Sequence, residues 1–372
     1  MLSKGGEIDL TGAEVDVAPP ARGGPALVVS RPVHLVGGVL RFSGVSCAIQ
    51  VLPGGELEMT GVVLVGAGVL VASDEPAGPA AALLTDVRVV DAAGSGLAAH
   101  GRGSSLSATG VAVTGAEGHG VSATAGAEVE LLGSEVVGSG GCGVAVSGAG
   151  SSVELEGCVI RESRSAHGTF CCDGGCLEMR DTDVLLSGRC GAAVMGTSSR
   201  LAMLRGCVKG AAGGFGLHCT DGAQLEAQSE EVAGCLQSGV AVSGPGSVAV
   251  LHGMLVHDCA ELDGMSCDGG ARIVARHCTV ADCGRCALAV MGYGSRASLD
   301  GGSLSGSQRS HGAACADGGL LELHGVEIRN CAGSALAAVG EGTVARAEGG
   351  SAAGCGSDAV FAASGGAASW TP

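Results

Sequence analysis

Apolar residues recur every 24 positions through most of this 372-residue chain. One series runs through Val153, Leu177, Leu201, Leu225, Ala249, Ile273, Ala297, Leu321 and Ala345. A second apolar series begins two residues later, at Leu155, with the same spacing. Self-similarity at a fixed period of this length is typical of repeat architectures, in which each repeat buries its apolar face against its neighbours. The period therefore predicts stacked coils rather than separate globular domains.

Each period contains three short segments in which apolar and polar residues alternate, for example residues 143–146, 153–156 and 158–161. We call them, in chain order, the first, second and third strands of a coil. Alternation with period 2 is typical of strands with one buried face. Left-handed β-helices use about 18 residues per turn, built from hexapeptides, whereas a coil of about 24 residues favours the right-handed form. The sequence therefore predicts an all-β fold, a single right-handed parallel β-helix with about 24 residues and three strands per coil.

A 48-residue double repeat is superimposed on this period. The starts of the first strands alternate between a longer and a shorter spacing, as from Cys142 to His167 and then from His167 to Cys190. The two kinds of coil differ by one residue in the first corner, which is the turn between the first and second strands. The shorter form of this corner carries Asp-Gly. Its four examples begin at Asp173, Asp221, Asp268 and Asp317. Asp-Gly pairs are frequent in tight turns, so these aspartates are assigned to turn formation.

The corner after the third strand is occupied mostly by Gly, Asn and Asp. Its residues are Glu162, Gly210, Gly234, Asp258, Asp282, Gly306, Asn330 and Gly354. These residue types, apart from Glu162, tolerate a left-handed backbone, which predicts a sharp bend at this position. The next residue is small in every coil and is often Cys, as in Cys235, Cys259, Cys283, Cys331 and Cys355.

The repeat predicts one domain over residues 1–372. We divide it into N-terminal coils (1–46), regular coils (47–357) with a loop insertion at 73–80, and a last strand and tail (358–372). Residues 6–12 align with residues 55–61, so the chain is expected to begin at a second strand. No polar cap is evident at either end, and solenoid ends normally need one.

The formal net charge of −17 argues against nucleic acid or an anionic membrane as partner, because both reward basic surfaces. No secretory signal and no window of about 18 apolar residues are found. The 18 cysteines fall mostly on repeat positions, which favours buried thiols in a reducing compartment over a disulfide framework. We therefore expect a cytoplasmic or other reducing intracellular location, with a cytoskeletal or ciliary complex as one setting.

Coils such as residues 238–244 and 256–259 resemble the right-handed parallel β-helix repeats of the pectin-lyase-like superfamily. The resemblance covers about residues 5–365. It implies the fold but no single activity, because that superfamily includes polysaccharide lyases, hydrolases and epimerases as well as non-catalytic repeat modules.

Of the elements found in polygalacturonase-type hydrolases, only Gly118-His119-Gly120 has a match in this chain. His119 lies at a coil start, a position that also holds His167 and His311, so the match is what the repeat itself produces. Glycoside hydrolysis needs two carboxyl groups about 5–10 Å apart, and no Asp-Asp pair occurs in the sequence. We predict no catalytic residue, no metal ligand and no cofactor.

Two groups of acidic residues are candidate binding residues. Glu130, Glu154 and Glu178 fall on consecutive coils and predict a column of carboxylates about 4.8 Å apart. This column is either a solvated acidic stripe relieved by Arg180 or a site for a cation or a basic partner. Asp74 and Glu75 lie in the loop insertion, which is a surface loop and a candidate binding loop.

Two cysteine groups have spacings that suggest chemistry. Cys283 and Cys286 have the spacing of a redox or zinc motif, but they belong to separate ladders of the repeat, which favours a structural role. Cys171, Cys172 and Cys176 form the densest cluster, with Cys171 pointing inward; buried or corner thiols, a disulfide and a metal site remain alternatives there.

Unbroken periodicity, missing catalytic sets and uncapped ends favour a non-catalytic scaffold of a larger intracellular assembly. Its expected partners are proteins that cap the ends or dock on the flanks, or further copies of the chain. The alternative is a β-helix that binds or cleaves polysaccharide, and a repeat protein without a ligand is a third possibility.

Overall fold

The computed structural model describes residues 6–18, 24–43, 47–73 and 77–371, and its regular elements are all strands. In the described part of the chain no helix is long and apolar enough to span a membrane. The Cα positions divide into two compact units, Met1–Gly188 and Arg189–Pro372, which are described separately. The expectation of one domain over residues 1–372 stays a prediction.

The strands of the first unit are β1 (Gly6–Asp9), β2 (Glu14–Val17), β3 (Leu27–Val29), β4 (Val33–Val36), β5 (Val39–Phe42), β6 (Cys47–Val51), β7 (Glu56–Thr60), β8 (Val63–Val65), β9 (Gly68–Ala72), β10 (Ala80–Thr85), β11 (Arg88–Val90), β12 (Leu97–His100), β13 (Ser104–Thr109), β14 (Ala112–Thr114), β15 (Val121–Thr124), β16 (Glu128–Leu132), β17 (Glu135–Val137), β18 (Val144–Ser147), β19 (Ser152–Glu156), β20 (Val159–Arg161), β21 (Thr169–Cys172) and β22 (Cys176–Leu185).

The strands of the second unit are β23 (Ala192–Met195), β24 (Arg200–Lys209), β25 (Leu217–Thr220), β26 (Gln224–Ala233), β27 (Val240–Ser243), β28 (Val248–His252), β29 (Leu255–His257), β30 (Met265–Asp268), β31 (Arg272–Ala281), β32 (Leu288–Met291), β33 (Arg296–Ser305), β34 (Ala313–Ala316), β35 (Leu320–His324), β36 (Glu327–Arg329), β37 (Leu336–Val339), β38 (Val344–Glu348), β39 (Ser351–Ala353), β40 (Val360–Ala363) and β41 (Ala367–Thr371).

Residues one period apart pair across parallel strands, as the repeat predicts. Val129 of β16 pairs with Val153 of β19, and Val153 pairs with Leu177 of β22. First strands keep the alternating spacing, because Val121 pairs with Val144 at the shorter spacing and Val144 pairs with Thr169 at the longer one. The all-β parallel coil, with its predicted period and its double repeat, is confirmed.

The inward rows form a narrow aliphatic core inside each unit. Val153, Leu155 and Ile160 are at most 1% exposed in the first unit, and Ile273 and Val280 are equally buried in the second. In five coils of the described part of the chain the second and third strands join into one ten-residue strand, for example β31. A single residue with positive φ, His277 in β31, turns the chain there without ending the strand.

The corner after the third strand adopts the predicted left-handed backbone. Its φ angles are 59° at Glu162 in the first unit and 55° at Asp258 and 54° at Asn330 in the second. The Asp-Gly turns also contain the expected bend, with a φ of 57° at Asp221; in the turn at Asp268 the following glycine, Gly269, has a φ of 62°.

Cysteine thiols of the second unit pack against glycines at the start of their own coil. A Cβ atom added at Gly239 would lie 3.0 Å from Sγ of Cys259, and one at Gly264 would lie 2.9 Å from Sγ of Cys283. Glycine is required at Gly264 by this close approach rather than by its φ angle, because Cγ1 of Val280 would lie only 2.1 Å from the added atom. The repeated cysteines and the repeated glycines therefore pack against each other, and the small size of each glycine makes room for the thiol.

Both ends of the chain differ in detail from the sequence alignment. β1 is a second strand, as predicted, but Glu7 pairs with His34, which pairs with Glu58, so the predicted alignment of Glu7 with Glu56 is wrong by two residues. A shift of two preserves which side chains face inward, so alternation alone does not detect it. At the other end, the expected tail contains β41, which pairs with β38.

Candidate functional site

A groove of about 770 Å³ runs along the outward face of the second strands in the first unit. It crosses seven strands, β1, β4, β7, β10, β13, β16 and β19. Because inward and outward side chains alternate along each strand, every strand that crosses the groove presents one or two side chains to it. We call this surface the first-unit groove.

The central row of the first-unit groove is set by strand register. It consists of Glu7, His34, Glu58, Leu83, Ser107, Glu130 and Glu154. A second row, two residues earlier on each strand, is formed by Glu56, Ala81, Ser105, Glu128 and Ser152. Both rows lie across consecutive coils, so a ligand that lies in the groove would run across the strands.

At one end of the groove a histidine lies between two carboxylates. Nδ1 of His34 lies 4.0 Å from Oε2 of Glu7, and Nε2 of His34 lies 3.9 Å from Oε1 of Glu58. These distances are at the limit of an ion pair, so the imidazole is placed to reduce the repulsion between the two carboxylates when it is protonated.

The other end carries Glu128, Glu130 and Glu154. The first two lie on one strand and face the same side, and Glu130 pairs with Glu154 across the neighbouring strand. The hydroxyl of Ser107 donates a hydrogen bond to Oε2 of Glu130 at 3.3 Å. Like charges directly opposite each other in a sheet are destabilising, so these carboxylates carry a cost that a cationic or hydrogen-bonding ligand would relieve.

The middle of the groove is neutral. Leu83 points outward and is 46% exposed, and Ala81, Ser105 and Ser107 surround it. An exposed leucine flanked by hydroxyl groups offers an apolar contact together with hydrogen bonds, the combination that small-molecule and sugar sites commonly use.

Only some of the binding residues predicted from the sequence line the groove. Glu130, Glu154 and Glu178 form the predicted column, paired in register on β16, β19 and β22. Glu130 and Glu154 line the groove, whereas Glu178 accepts a hydrogen bond of 3.0 Å from Nη2 of Arg180. Asp74 and Glu75 lie outside the described residues. Within the described ranges, no group of three or more His, Cys, Asp and Glu is placed to hold a metal ion.

Sequence reasoning missed the rest of the groove. Glu7, His34, Glu58 and Leu83 continue the row of Glu130, but the loop insertion and the irregular coil lengths around it interrupt the count. These residues could have been found by taking the outward position of each second strand in turn, instead of adding a fixed number of residues.

His119 of the Gly-His-Gly segment has a structural environment. Its Nδ1 accepts a hydrogen bond of 3.1 Å from the backbone N–H of Cys142 on the next coil. Nδ1 of His311 accepts the same bond from Ser334 at 3.0 Å in the second unit. Burial lowers the pKa of both imidazoles, although the bonded backbone amide acts in the opposite direction. A repeated bond of this kind joins neighbouring coils.

Replacing His119 with alanine is expected to destabilise the protein by about 1–2 kcal/mol at pH 7.5, because the Cys142 amide loses its acceptor. A histidine pKa lowered by folding contributes stability above its unfolded value, and this stability is lost as pH falls through the folded value. The penalty of His119→Ala should therefore shrink as pH falls from about 7 to about 5. Urea unfolding midpoints across this range measure it.

The exposed residue His252 provides the control for this prediction. His252→Ala should change the free energy of unfolding by less than about 0.5 kcal/mol, as surface substitutions usually do. Equal penalties for the two variants at all pH values would contradict the structural role of His119.

The two cysteine groups resolve differently. Cys283 and Cys286 are both buried and have different neighbours. Cys283 stands beside Cys259, whose carbonyl oxygen accepts from the N–H of Gly284 at 2.7 Å, whereas the thiol of Cys286 donates to Oγ of Ser310 at 3.3 Å. The separate-ladder interpretation of this pair is confirmed. In the other cluster Cys171 is fully buried, as predicted, and the thiol of Cys172 donates to Oδ2 of Asp173 at 3.2 Å.

Comparison with known proteins identifies the fold. A family model described as a right handed beta helix region matches residues 95–253. The chain folds as a right-handed parallel β-helix. No curated protein matches the sequence of this β-helix.

Solved structures similar to this β-helix include two epimerases. The periplasmic alginate epimerase AlgG aligns over 87% of this chain and 85% of its own, with a TM-score of 0.58 and 12% identity. The A-module of the mannuronan C-5 epimerase AlgE4 from Azotobacter vinelandii aligns over 95% of this chain and 92% of its own, with a TM-score of 0.50 and 14% identity. At these identities the similarity shows the fold alone.

Proposed function

We propose that this β-helix binds an extended polysaccharide along the first-unit groove, and that the sugars are neutral or carry amino groups. The observation that supports this most directly is the groove itself, an open channel across seven coils with carboxylates at both ends and Leu83 in the middle. The proposal develops the polysaccharide alternative from the sequence rather than the scaffold interpretation.

The length and direction of the groove favour a polymer. Its central row presents one side chain per coil at intervals of about 4.8 Å, so successive coils offer successive contacts to an extended chain. Carboxylates and hydroxyls in these rows accept and donate hydrogen bonds to sugar hydroxyls, and Leu83 offers an apolar patch to a ring face.

The charge of the groove selects among polysaccharides. Among the described residues that line it, six are glutamates and none is a lysine or an arginine. A polyuronate such as alginate would meet repulsion from these carboxylates, whereas ammonium groups would be attracted. The two epimerases named above act on uronate polymers according to their names, so the ligand proposed for this chain differs from theirs in charge.

Titration calorimetry with three oligosaccharide series tests the proposal. Chitosan oligosaccharides carry amino groups, cello-oligosaccharides are neutral and oligo-mannuronates are anionic. We expect chitosan oligosaccharides to bind most tightly, cello-oligosaccharides less tightly and oligo-mannuronates least. Binding of the chitosan oligosaccharides should weaken when the salt concentration is raised from about 50 to about 200 mM. Tighter binding of mannuronate, or no binding of any series, would overturn the proposal.

A second candidate is an interaction scaffold that uses the edge formed by β39, β40 and β41. Ser351–Ala353 of β39 are exposed, although Ala352 continues the inward row that buries Ile328. Strand edges of this kind accept a strand from another chain. Light scattering across concentration tests this candidate: mass that grows with concentration supports self-association, and a constant monomer mass contradicts it.

A further inference from the structure

Two cysteines on neighbouring coils of the second unit lie side by side near the surface. Cys331 follows β36 and Cys355 follows β39, and these strands pair with Arg329 opposite Ala353. Extending this register by two residues places Cys331 opposite Cys355. The backbone N–H of Gly356 donates to the carbonyl oxygen of Cys331 at 2.9 Å, which fixes the two coils together at this point.

The two cysteines occupy neighbouring positions in the register. Each is a free thiol, and extension of the pairing of β36 with β39 places one beside the other. Neighbouring parallel strands are about 4.8 Å apart, within the range of about 4.4–6.8 Å that Cα atoms of a disulfide span. Sγ of Cys331 also lies 3.4 Å from the carbonyl oxygen of Arg329, and Sγ of Cys355 lies 3.8 Å from that of Ala353.

The exposure of the two thiols is unequal. Cys331 is 2% exposed, whereas Cys355 is partly open to solvent. Cys259 and Cys283 are neighbours in the same way, because His257 pairs with Ala281 and the backbone N–H of Gly284 donates to the carbonyl oxygen of Cys259 at 2.7 Å. Both are at most 1% exposed. The second unit therefore contains one pair in which a single thiol, that of Cys355, is accessible, and a matched pair in which neither thiol is.

We propose that Cys331 and Cys355 form a redox-active pair that closes to a disulfide when a low-molecular-weight disulfide such as oxidised glutathione reaches Cys355. This modification site is independent of the first-unit groove and of its proposed ligand.

The chemistry proceeds in two exchanges. The Cys355 thiolate attacks the small disulfide, forms a mixed disulfide and releases one small thiolate. The Cys331 thiolate then attacks the sulfur of Cys355, and the second small thiolate leaves. Two protein thiols are oxidised to one disulfide, the small disulfide is reduced to two thiols, and the protons of the protein thiols pass to the released thiolates.

The bond would tie together the coil that includes β37, β38 and β39. It would close a loop of about 25 residues, and cross-links of this kind stabilise mainly by restricting the unfolded chain. Burial raises the pKa of the Cys331 thiol. The second exchange should therefore become faster as pH rises.

The test treats the reduced full-length protein with oxidised glutathione, blocks remaining thiols with an alkylating agent after denaturation and maps the peptides by mass spectrometry. We expect a linked Cys331–Cys355 peptide, with no linked Cys259–Cys283 peptide on the same timescale. Hydrogen exchange should show at least threefold slower exchange of amides in β39 after oxidation.

Two single variants separate the steps. Cys331→Ser should accumulate glutathione on Cys355, because the second exchange is removed. Cys355→Ser should leave Cys331 unmodified. The proposal is overturned if wild-type Cys355 retains glutathione without linking, if Cys355 does not react, or if the buried pair links equally fast.

Discussion

Replacing Glu130 and Glu154 together with glutamine is expected to weaken binding of chitosan oligosaccharides about tenfold. Each exposed charge contact contributes up to about 1 kcal/mol, and about 1.4 kcal/mol corresponds to a factor of ten. Glutamine keeps the size of the side chain and its carbonyl acceptor, so the variant removes the charge with little change of shape. Titration calorimetry at low salt measures the dissociation constant.

The same variant should be at least as stable as the wild type, because Glu130 and Glu154 face each other as like charges. A matched control is Glu226→Gln with Glu322→Gln, which changes the equivalent outward positions in the second unit. The control should bind with unchanged affinity. Equal weakening by both double variants would show that net charge acts without a site, and no weakening by either would remove these carboxylates from the binding surface.

Replacing Gly264 with alanine is expected to lower the free energy of unfolding by about 3 kcal/mol, at the upper end of the usual cost of overpacking. The added methyl group would lie 2.1 Å from Cγ1 of Val280, 2.8 Å from the carbonyl oxygen of Ala287 and 2.9 Å from Sγ of Cys283. The carbonyl belongs to the backbone of the next coil, so the strain cannot be relieved by a side-chain rotation alone. Urea unfolding measures the loss.

Gly253→Ala is the control for this prediction. Gly253 has a φ of 61° and its nearest neighbour is Oγ of Ser229 at 3.7 Å, so alanine there meets backbone strain but no collision. It should cost about 1 kcal/mol. Adding Val280→Ala to Gly264→Ala should give a loss smaller than the sum of the single losses, because the two sites are in contact. Strict additivity would contradict the proposed collision.

Regular coils could be predicted from the sequence because one alternation and one spacing determine the inward rows. Val153 and Leu177 face the core for the same reason, and the bend at Asn330 follows from its residue type. Near the N-terminus the spacing varies, and a shift of two residues leaves the alternation unchanged. For that reason the alignment predicted for Glu7 differs by two residues from the observed pairing.

The groove was harder to predict because concavity is a property of several coils together. Leu83 is apolar and outward, which in a sequence is indistinguishable from an inward leucine until the register is known. Glu130 and Glu154 were found because they stand on regular coils. His34 and Glu58 were not, because they stand before the insertion, where counting by a fixed period fails.

The alternation of longer and shorter coils restricts how this chain can change in length. A coil with a longer first corner, such as the one at Ala149, lies next to a coil with the Asp-Gly corner at Gly174, and the two corners pack on each other. Loss or duplication of two consecutive coils keeps every long corner beside a short one. Loss or duplication of a single coil places two corners of equal length together, so we expect insertions and deletions of two coils to disturb the corner packing less than those of one coil.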